Sequence, residues 1–488
     1  MNLAELLWVR AEQSGDRPAI LAPGSATSWL GLRRRASAWA AALARAGLVP
    51  GDRVAILCPR GPEAIAAYFG VLAAGGIAVQ LDLAFRDAQI KHILRHSGAR
   101  IVVADPGCLP QGIPHAELTL LRSTDLTRVG GRTPIARDAD DPAQLIYTSG
   151  STGLAKGVVV THGNLVASAR IVTEYLGIVP TDRIASVLPV SFVYGLSQVL
   201  LAVQAGSTLV IIDAALPADV IDAFRRERIT VLAAVPLLWH QWLATPGFRE
   251  QPLPDLRVLT NAGGGISAET ALAIVRAQPG ARLFLMYGLT EALRSTFLPP
   301  EEVHRRAGSI GRAIAETEIF LVREDGAECG IDEVGEIVQA GPTVTLGYWD
   351  NPEATARAFV PHPRGASGRA VRTGDLARRD AAGFLYFVGR RDRQVKSLGY
   401  RVNPEELEHA LTDSGLTGAH AVLALPDPMR GHALVAYVVL APGVEVAAIR
   451  RYCGRELPRH LQPTTIRVLT ELPRLPSGKP DLARLASL

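Results

Sequence analysis

The chain is poor in lysine: it has four, at positions 91, 156, 396 and 479, against 47 arginines in 488 residues. Cysteine is equally scarce, and Cys58, Cys108, Cys329 and Cys453 are scattered, with no Cys-x-x-Cys pair. That spacing excludes a disulfide framework and a zinc ribbon, and points to a reducing compartment. The net charge is only +4, and acids interrupt the arginines throughout, so no basic stripe for nucleic acid is present. Long apolar runs are missing as well. Two uncharged stretches, 64–81 and 184–212, are broken by Gly75-Gly76 and by Pro189, Gly195 and Gly206. They read as buried helix–turn–strand units rather than membrane spans. The opening segment MNLAELLWVRAEQSGDR carries acids and an arginine where a signal peptide needs a clean apolar stretch. A cytoplasmic protein is expected.

What is present is a globular composition, 48% hydrophobic and 20% charged, in a chain too long for one core. Apolar runs at 53–57, 100–104, 144–147, 183–188, 208–212, 230–235, 257–260 and 282–286 alternate with helical patterns. This alternation predicts doubly wound α/β layers. The 29–47 segment places Trp29, Leu32, Ala36, Trp39, Leu43 and Ala46 on one side of a helix. From about 308 glycine-punctuated strands predict a β-rich subdomain ending near 389. Beyond 393 a compact α+β domain is expected, with helices at 404–414 and 446–456 and strands near 419–425, 433–440 and 465–470. The expected division is therefore 1–389, a junction at 390–392, and 393–488.

The sparse lysines mark chemistry. Lys156 ends the run Thr148-Ser149-Gly150-Ser151-Thr152-Gly153-Leu154-Ala155-Lys156, which lies between two apolar segments. Small residues let backbone N–H groups turn inward, hydroxyls add donors, and lysine supplies a compact charge for polyphosphate. A flexible Ser/Gly linker has the same composition, but linkers are rarely clamped between hydrophobic runs. The pattern is not a Walker loop, which ends Gly-Lys-Ser/Thr. Lysine and arginine are not interchangeable where a point charge must reach one oxygen, so Lys396 in QVKSLGYRV and Lys479 in LPSGKPD are further candidates. Lys91, in a helical pattern beside His92, reads as a solvated surface charge.

Five more segments follow in order: NAGGGIS at 261–267, MYGLTEA at 286–292, RTGDL at 372–376, GRRDRQVKSLGYRVNPEELE at 389–408 and LPSGKPD at 475–481. With the 147–157 loop they resemble the adenylate-forming superfamily of acyl-CoA and aryl-CoA synthetases, peptide-synthetase adenylation domains and luciferases. The resemblance covers nearly the whole chain. It implies a large N-terminal α/β domain, a small mobile C-terminal α+β domain, and a carboxylate activated by ATP to an acyl-adenylate, with pyrophosphate released, before transfer to a thiol. It further implies that Thr148, Ser149, Gly150, Ser151, Thr152, Gly153 and Lys156 cradle the phosphates, that Thr290 donates to the α-phosphate, and that Glu291 holds Mg²⁺. Tyr287 and Gly288, with Gly263, Gly264 and Gly265, would enclose adenine; Asp375 would accept the ribose hydroxyls with help from Arg390. Lys479 would bridge carboxylate and α-phosphate. Asp392 matches the hinge about which the small domain turns, exchanging Lys479 for the loop around Lys396, Leu398 and Gly399.

The chain departs from the family pattern at Ala155 and Gln80, where proline is common. More telling is the substrate segment with Phe192, Val193, Tyr194 and Ser197. Amino-acid-activating relatives often carry aspartate at the place of Val193, where it pairs with an ammonium. An ammonium buried beside valine would lie unpaired at a cost on the order of several kcal/mol. The expected acid therefore lacks a free α-amine, or has its amine held by another group. Phe192 stands where many acyl- and aryl-CoA ligases carry histidine, and the stretch from Tyr287 is most like small stand-alone ligases serving carrier proteins. The expected acceptor is coenzyme A or the phosphopantetheine of a separate carrier protein. Two alternatives stand beside it: an amide-forming ligase with an amine acceptor, and a nucleotide-binding protein without turnover.

Overall fold

The structure, a computed structural model, describes residues 2–105, 108, 118–126, 131–148, 155–391, 393–473 and 480–488. The apolar runs singled out above all form strands, and they belong to two large sheets. One has nine described strands. Its central members, Arg282–Tyr287, Val258–Asn261, Val231–Ala234, Arg183–Ser186, Thr208–Ile211 and Pro18–Ala22, are parallel in that order; antiparallel strands Thr296–Leu298, Arg312–Ala313 and Ser25–Ser28 close its two edges. The other, of seven described strands, runs Gly347–Tyr348, Lys156–Thr161, Pro142–Thr148, Ile77–Gln80, Arg53–Leu57, Ile101–Ala104, Thr119–Leu121.

The period-2 pattern of these strands explains the layering. Val54 and Ile56 face the helices between the sheets, while Ala55 and Leu57 face outward to the helix Asp87–Ser97. Likewise Ile184 points inward and Ala185 outward, onto helices Pro217–Arg226, Pro236–Leu243 and Ala268–Ala277. Of the sandwiched helices Leu3–Ser14, Trp29–Arg45, Pro62–Ala73, His162–Leu176 and Val193–Ala205, Pro62–Ala73 and Val193–Ala205 are apolar on most sides, as burial between two sheets requires, while the others turn a polar side outward. Trp29, Leu32, Ala36, Trp39 and Leu43 are buried as their spacing predicts. At the crossing of two of these helices a Cβ on Gly70 would lie 2.3 Å from that of Trp39, so only glycine permits this approach.

The β-rich sheet consists of Glu318–Val322, Gly335–Ala340, Arg369–Arg379, Phe359–Pro361 and Leu385–Arg390. It begins later than the glycine spacing suggests. Arg312–Ala313 still pairs with Thr296–Leu298 of the nine-stranded sheet, because Gly311 packs directly on the backbone of Phe297. The last strand of this subdomain ends at Arg390, and the next strand, Val395–Ser397, belongs to a separate sheet with Tyr400–Val402, Thr417–Asp427, Gly431–Leu440 and Thr465–Val468. Helices Pro404–Ser414 and Val446–Glu456 cover one face of that sheet. Asn403 opens the first of them with a capping box completed by Glu406. No helix among the described residues is long and apolar enough to cross a membrane.

Candidate active site

In the nine-stranded sheet the strand order reverses beside Arg183–Ser186, whose neighbours are Thr208–Ile211 on one side and Val231–Ala234 on the other. Open α/β sheets bind ligands in the crevice beyond the carboxyl ends of strands at such a switch. Here the segments leaving those strands, Val187-Leu188-Pro189 and Val235 with Leu237, line a cavity of about 820 Å³. A second cavity of about 730 Å³ adjoins it, and Gly263, Gly288, Lys396 and Gly399 line both.

The second cavity is polar at one end. Gly263, Gly264, Gly265, Tyr287, Gly288, Asp375 and Arg390 all line it, which brings together residues up to 127 positions apart. Asp375 and Arg390 sit opposite each other on adjacent antiparallel strands. One oxygen of the buried Asp375 carboxylate accepts from the Tyr287 hydroxyl at 2.5 Å and the other from the Arg390 guanidinium. Burial and then the Asp375 charge push the Tyr287 phenol well above its ordinary value, so it stays a donor. Each carboxylate oxygen keeps a lone pair for a further donor. Gly374, at φ +72, turns the chain so that Asp375 faces inward.

Two further residues, one outside every motif and one at the start of the 261–267 segment, hold this end in place. The buried carboxylate of Glu336 accepts from Gly374 N–H at 3.1 Å, from Arg372 at 2.6 Å and from Arg391 at 3.0 Å. Burial alone would raise its pKa, but Arg372 and the other donors outweigh that and hold the carboxyl below its ordinary value. Asn261 donates to Gly264 O at 3.0 Å and so shapes the glycine turn, while its buried Oδ1 has no partner among the described residues. It too lines the second cavity.

Thr148 and Lys156 face each other in register at the ends of two antiparallel strands, Pro142–Thr148 and Lys156–Thr161. Ser149, Gly150, Ser151, Thr152 and Gly153 lie outside the described residues, as do Asp392 and Lys479. Gly157 packs closely against the Tyr147 ring, where an added Cβ would lie 3.1 Å from Cζ. Tyr348 connects the two charges expected on either side of a phosphate: its hydroxyl donates to Glu291 Oε1 at 2.9 Å, and Lys156 Nζ lies 5.7 Å from its ring centroid. Glu291 is itself buried, and Thr345 holds its backbone carbonyl through both N–H and Oγ1. Thr290 lines the first cavity.

That first cavity is mainly apolar. Phe192, Val193 and Tyr194 line it, Val193 being the first residue of the helix Val193–Ala205. Tyr194 bonds to Thr260 through its hydroxyl, to the carbonyl at 2.8 Å and to Oγ1 at 2.6 Å. Ser197 is placed differently: its hydroxyl turns back onto Tyr194 O at 2.8 Å and accepts from Gln198, and it does not line the cavity. Gln80, where the family commonly has proline, belongs to a buried chain with Gln144 and Tyr68.

The small domain reaches both cavities. The hairpin turn Ser397-Leu398-Gly399-Tyr400 has positive φ at Leu398 and Gly399, +54 and +84, the geometry of a type I′ turn. Its tip carries Gly399 to within 3.6 Å of Val235 for an added Cβ. Tyr400 meets Phe192 edge to face at 4.9 Å, stacks on His460 at 3.9 Å, and places its hydroxyl 3.5 Å from buried Asp82. Arg86 adds a hydrogen bond to Gly454 O at 3.1 Å.

A cavity whose polar end is built by Tyr287, Asp375 and Arg390, next to a second cavity at a sheet switch point and covered by a small domain, is the arrangement of an adenylate-forming enzyme. Comparison with known proteins agrees. The AMP-binding enzyme family matches residues 7–349, and its C-terminal domain matches 406–479. The chain belongs to this family. It is 32% identical to sulfoacetate–CoA ligase of Cupriavidus necator, over 99% of this chain and 97% of that one. It is 33% identical to novobiocin biosynthesis protein H of Streptomyces niveus, over 99% of this chain and 82% of that protein. It is also 32% identical to a phenyloxazoline synthase of a Mycobacterium species, over 96% of this chain but only 40% of that protein. Among solved structures it superposes on a double mutant of o-succinylbenzoate CoA synthetase from Bacillus subtilis with a TM-score of 0.90, at 27% identity over 99% of this chain and 98% of that one. It superposes on an amide bond synthetase from Marinactinospora thermotolerans with a TM-score of 0.87, at 25% identity over 100% and 99% of the two chains.

Proposed function

We propose that this enzyme activates a carboxylic acid lacking a free α-amine in two steps. The acid's carboxylate oxygen attacks the α-phosphorus of ATP, a P–O bond forms, and pyrophosphate leaves with the electrons of the broken anhydride bond. A thiol, of coenzyme A or of a carrier-protein phosphopantetheine, then loses its proton to water, attacks the acyl carbon, and expels AMP. The observation that carries this reading is the pairing of Tyr287, Asp375 and Arg390 around one cavity that shares wall residues with a second, mainly apolar one.

Tyr287 and the Gly263–Gly265 turn would hold adenine, and the unpartnered Oδ1 of Asn261 suits its exocyclic amine. Asp375 would accept from the ribose hydroxyls alongside its two present donors. Thr148, Thr290 and Lys156 would hold phosphate oxygens, together with Ser149, Gly150, Ser151, Thr152 and Gly153. Mg²⁺ commonly takes one or two carboxylates plus phosphate oxygens. A single buried Glu291 with an oriented oxygen fits that habit, and the ion would offset the charge brought together there. Stabilising that accumulated charge is the main catalytic task.

The contacts of Leu398, Gly399 and Tyr400 with the N-terminal part support assigning this arrangement to the second step, with the Lys396 loop beside the acyl carbon. Rotation about Asp392, between residues 1–389 and 393–488, would exchange that loop for Lys479 in the first step. The likeness to an amide bond synthetase favours a second reading in which an amine takes the acyl group. Acceptor competition tests both: purified enzyme, ATP, Mg²⁺ and an acid yield thioester when coenzyme A or a pantetheinylated carrier is added. Amide formation from an added amine, with no thioester under the same conditions, would replace the first reading by the second.

A further inference from the structure

Arg294 is buried, with 4% of its surface exposed, yet its guanidinium makes no hydrogen bond or ion pair with any described residue, and its Nε has no acceptor. The guanidinium lies over the face of the Tyr194 ring, 5.3 Å from the centroid. A buried cation is ordinarily paired. Arg294 lines the apolar cavity and not the nucleotide cavity. The carboxylates that line the same cavity, Glu406, Asp413 and Glu456, all come from the small domain.

The position is also built. Gln339 and Thr343, both fully buried, donate to the Arg294 carbonyl at 3.0 and 3.2 Å. The preceding Leu293 is held at φ +52, a conformation that an aliphatic residue keeps only when its surroundings over-determine it. The turn therefore fixes a guanidinium, with its planar fork of N–H donors, in the wall of the acyl site.

We infer that the acid activated here carries a second anionic group, a carboxylate or a sulfonate, which Arg294 binds in the acyl cavity. Two parallel N–H donors match either oxyanion, and a bidentate pair in a low-dielectric wall fixes orientation as well as affinity. A neutral tail would leave the guanidinium unpaired, and an α-ammonium would meet like charge, which agrees with Val193 standing where an anion would be needed. The inference rests on the acid-activation reading and adds the substrate class to it.

The test is pyrophosphate release from ATP and Mg²⁺ with matched acids: butanoate against butanedioate and 3-sulfopropanoate, benzoate against the benzenedicarboxylates and sulfobenzoates. At least one anionic-tailed acid is expected to exceed its neutral partner by about 100-fold in kcat/KM, and the carboxylate and sulfonate arms tell which oxyanion is used. Arg294→Met should remove that preference while leaving turnover of neutral acids intact or raised. Arg294→Lys, which keeps the charge and loses the fork, should retain part of it. If Arg294→Met does not fold, the wild-type ranking and Arg294→Lys decide. Neutral acids preferred by the wild type, or an unchanged ranking in folded Arg294→Met, would overturn the inference alone. Silence with every acid would overturn the activation reading beneath it.

Discussion

Replacing Glu336 by glutamine tests how the ribose end of the site is held. The carboxylate receives two arginines and one backbone N–H, at 2.6, 3.0 and 3.1 Å. Charge-assisted hydrogen bonds contribute about 1.5–3 kcal/mol each. Arg372 and Arg391 are 36% and 41% exposed, so water recovers part of what they lose. The amide offers one acceptor oxygen in place of two, and its NH₂ must face a donor. The net cost comes to about 2 kcal/mol, which for a chain of this size lowers the melting temperature by roughly 2 °C. Because the Gly374 N–H is one of the three donors, the loss is transmitted to the turn that aims Asp375. The KM for ATP should rise about 3- to 10-fold, with a smaller change in kcat. The pH dependence supplies a second signature. The folded-state pKa of Glu336 is lowered, so its contribution is present above the unfolded value near 4.5 and is lost as pH falls through the folded one. Glutamine should remove that acid-side slope. Differential scanning fluorimetry from pH 3.5 to 8, with ATP titrations, reads both. A variant that melts with the wild type and binds ATP equally well would refute the assignment.

Other consequences follow from the same geometry. Asp375→Asn leaves Arg390 and the Tyr287 hydroxyl without their anion and should weaken ATP by at least 10-fold in KM, measured by pyrophosphate exchange. His162 and His460 are buried and held near pKa 4, and His162 Nδ1 accepts from Leu3 N–H at 3.0 Å. The unfolded chain takes up these protons below about pH 6.5, so the melting temperature should fall between pH 6.5 and 4, and His460→Gln should reduce that fall. Gly195→Ala would place a Cβ 1.9 Å from Pro189 O, so the helix Val193–Ala205 must shift; loss of activity should exceed loss of nucleotide binding, read by parallel assays. Lys479→Ala should abolish adenylation and spare thioester formation from preformed acyl-AMP; equal loss of both half-reactions would exclude that role.

Much of this architecture was legible from periodicity. Strands buried on both faces appear as short apolar runs, and the helices between the two sheets appear as long ones, so 64–81 and 184–212 resolve into Pro62–Ala73 with Ile77–Gln80 and into a strand–helix–strand unit. Short edge strands such as Gly347–Tyr348 and Arg312–Ala313 gave no signal, because two residues carry no period. The motif residues around Tyr287 and Asp375 do converge, but their partners were hidden. Glu336 is one acid in an ordinary strand, and Tyr348 meets Glu291 across 57 positions. Arg294 is the instructive case: scarcity drew attention to the lysines, whereas one arginine among 47 has no distinguishing mark until its burial and its lack of a hydrogen-bond or ion-pair partner among the described residues are seen. Ser197 was grouped with the substrate segment, but a short hydroxyl in a helix satisfies itself on the preceding turn.

The central claim is acyl-adenylate formation, and single-turnover detection of that intermediate tests it most directly. Enzyme, ATP, Mg²⁺ and the acid panel, without any thiol or amine, should release pyrophosphate in an amount matching bound acyl-AMP, both lost in Asp375→Asn at limiting ATP. Release of ADP and phosphate, or of pyrophosphate with no acyl-AMP formed, would contradict it.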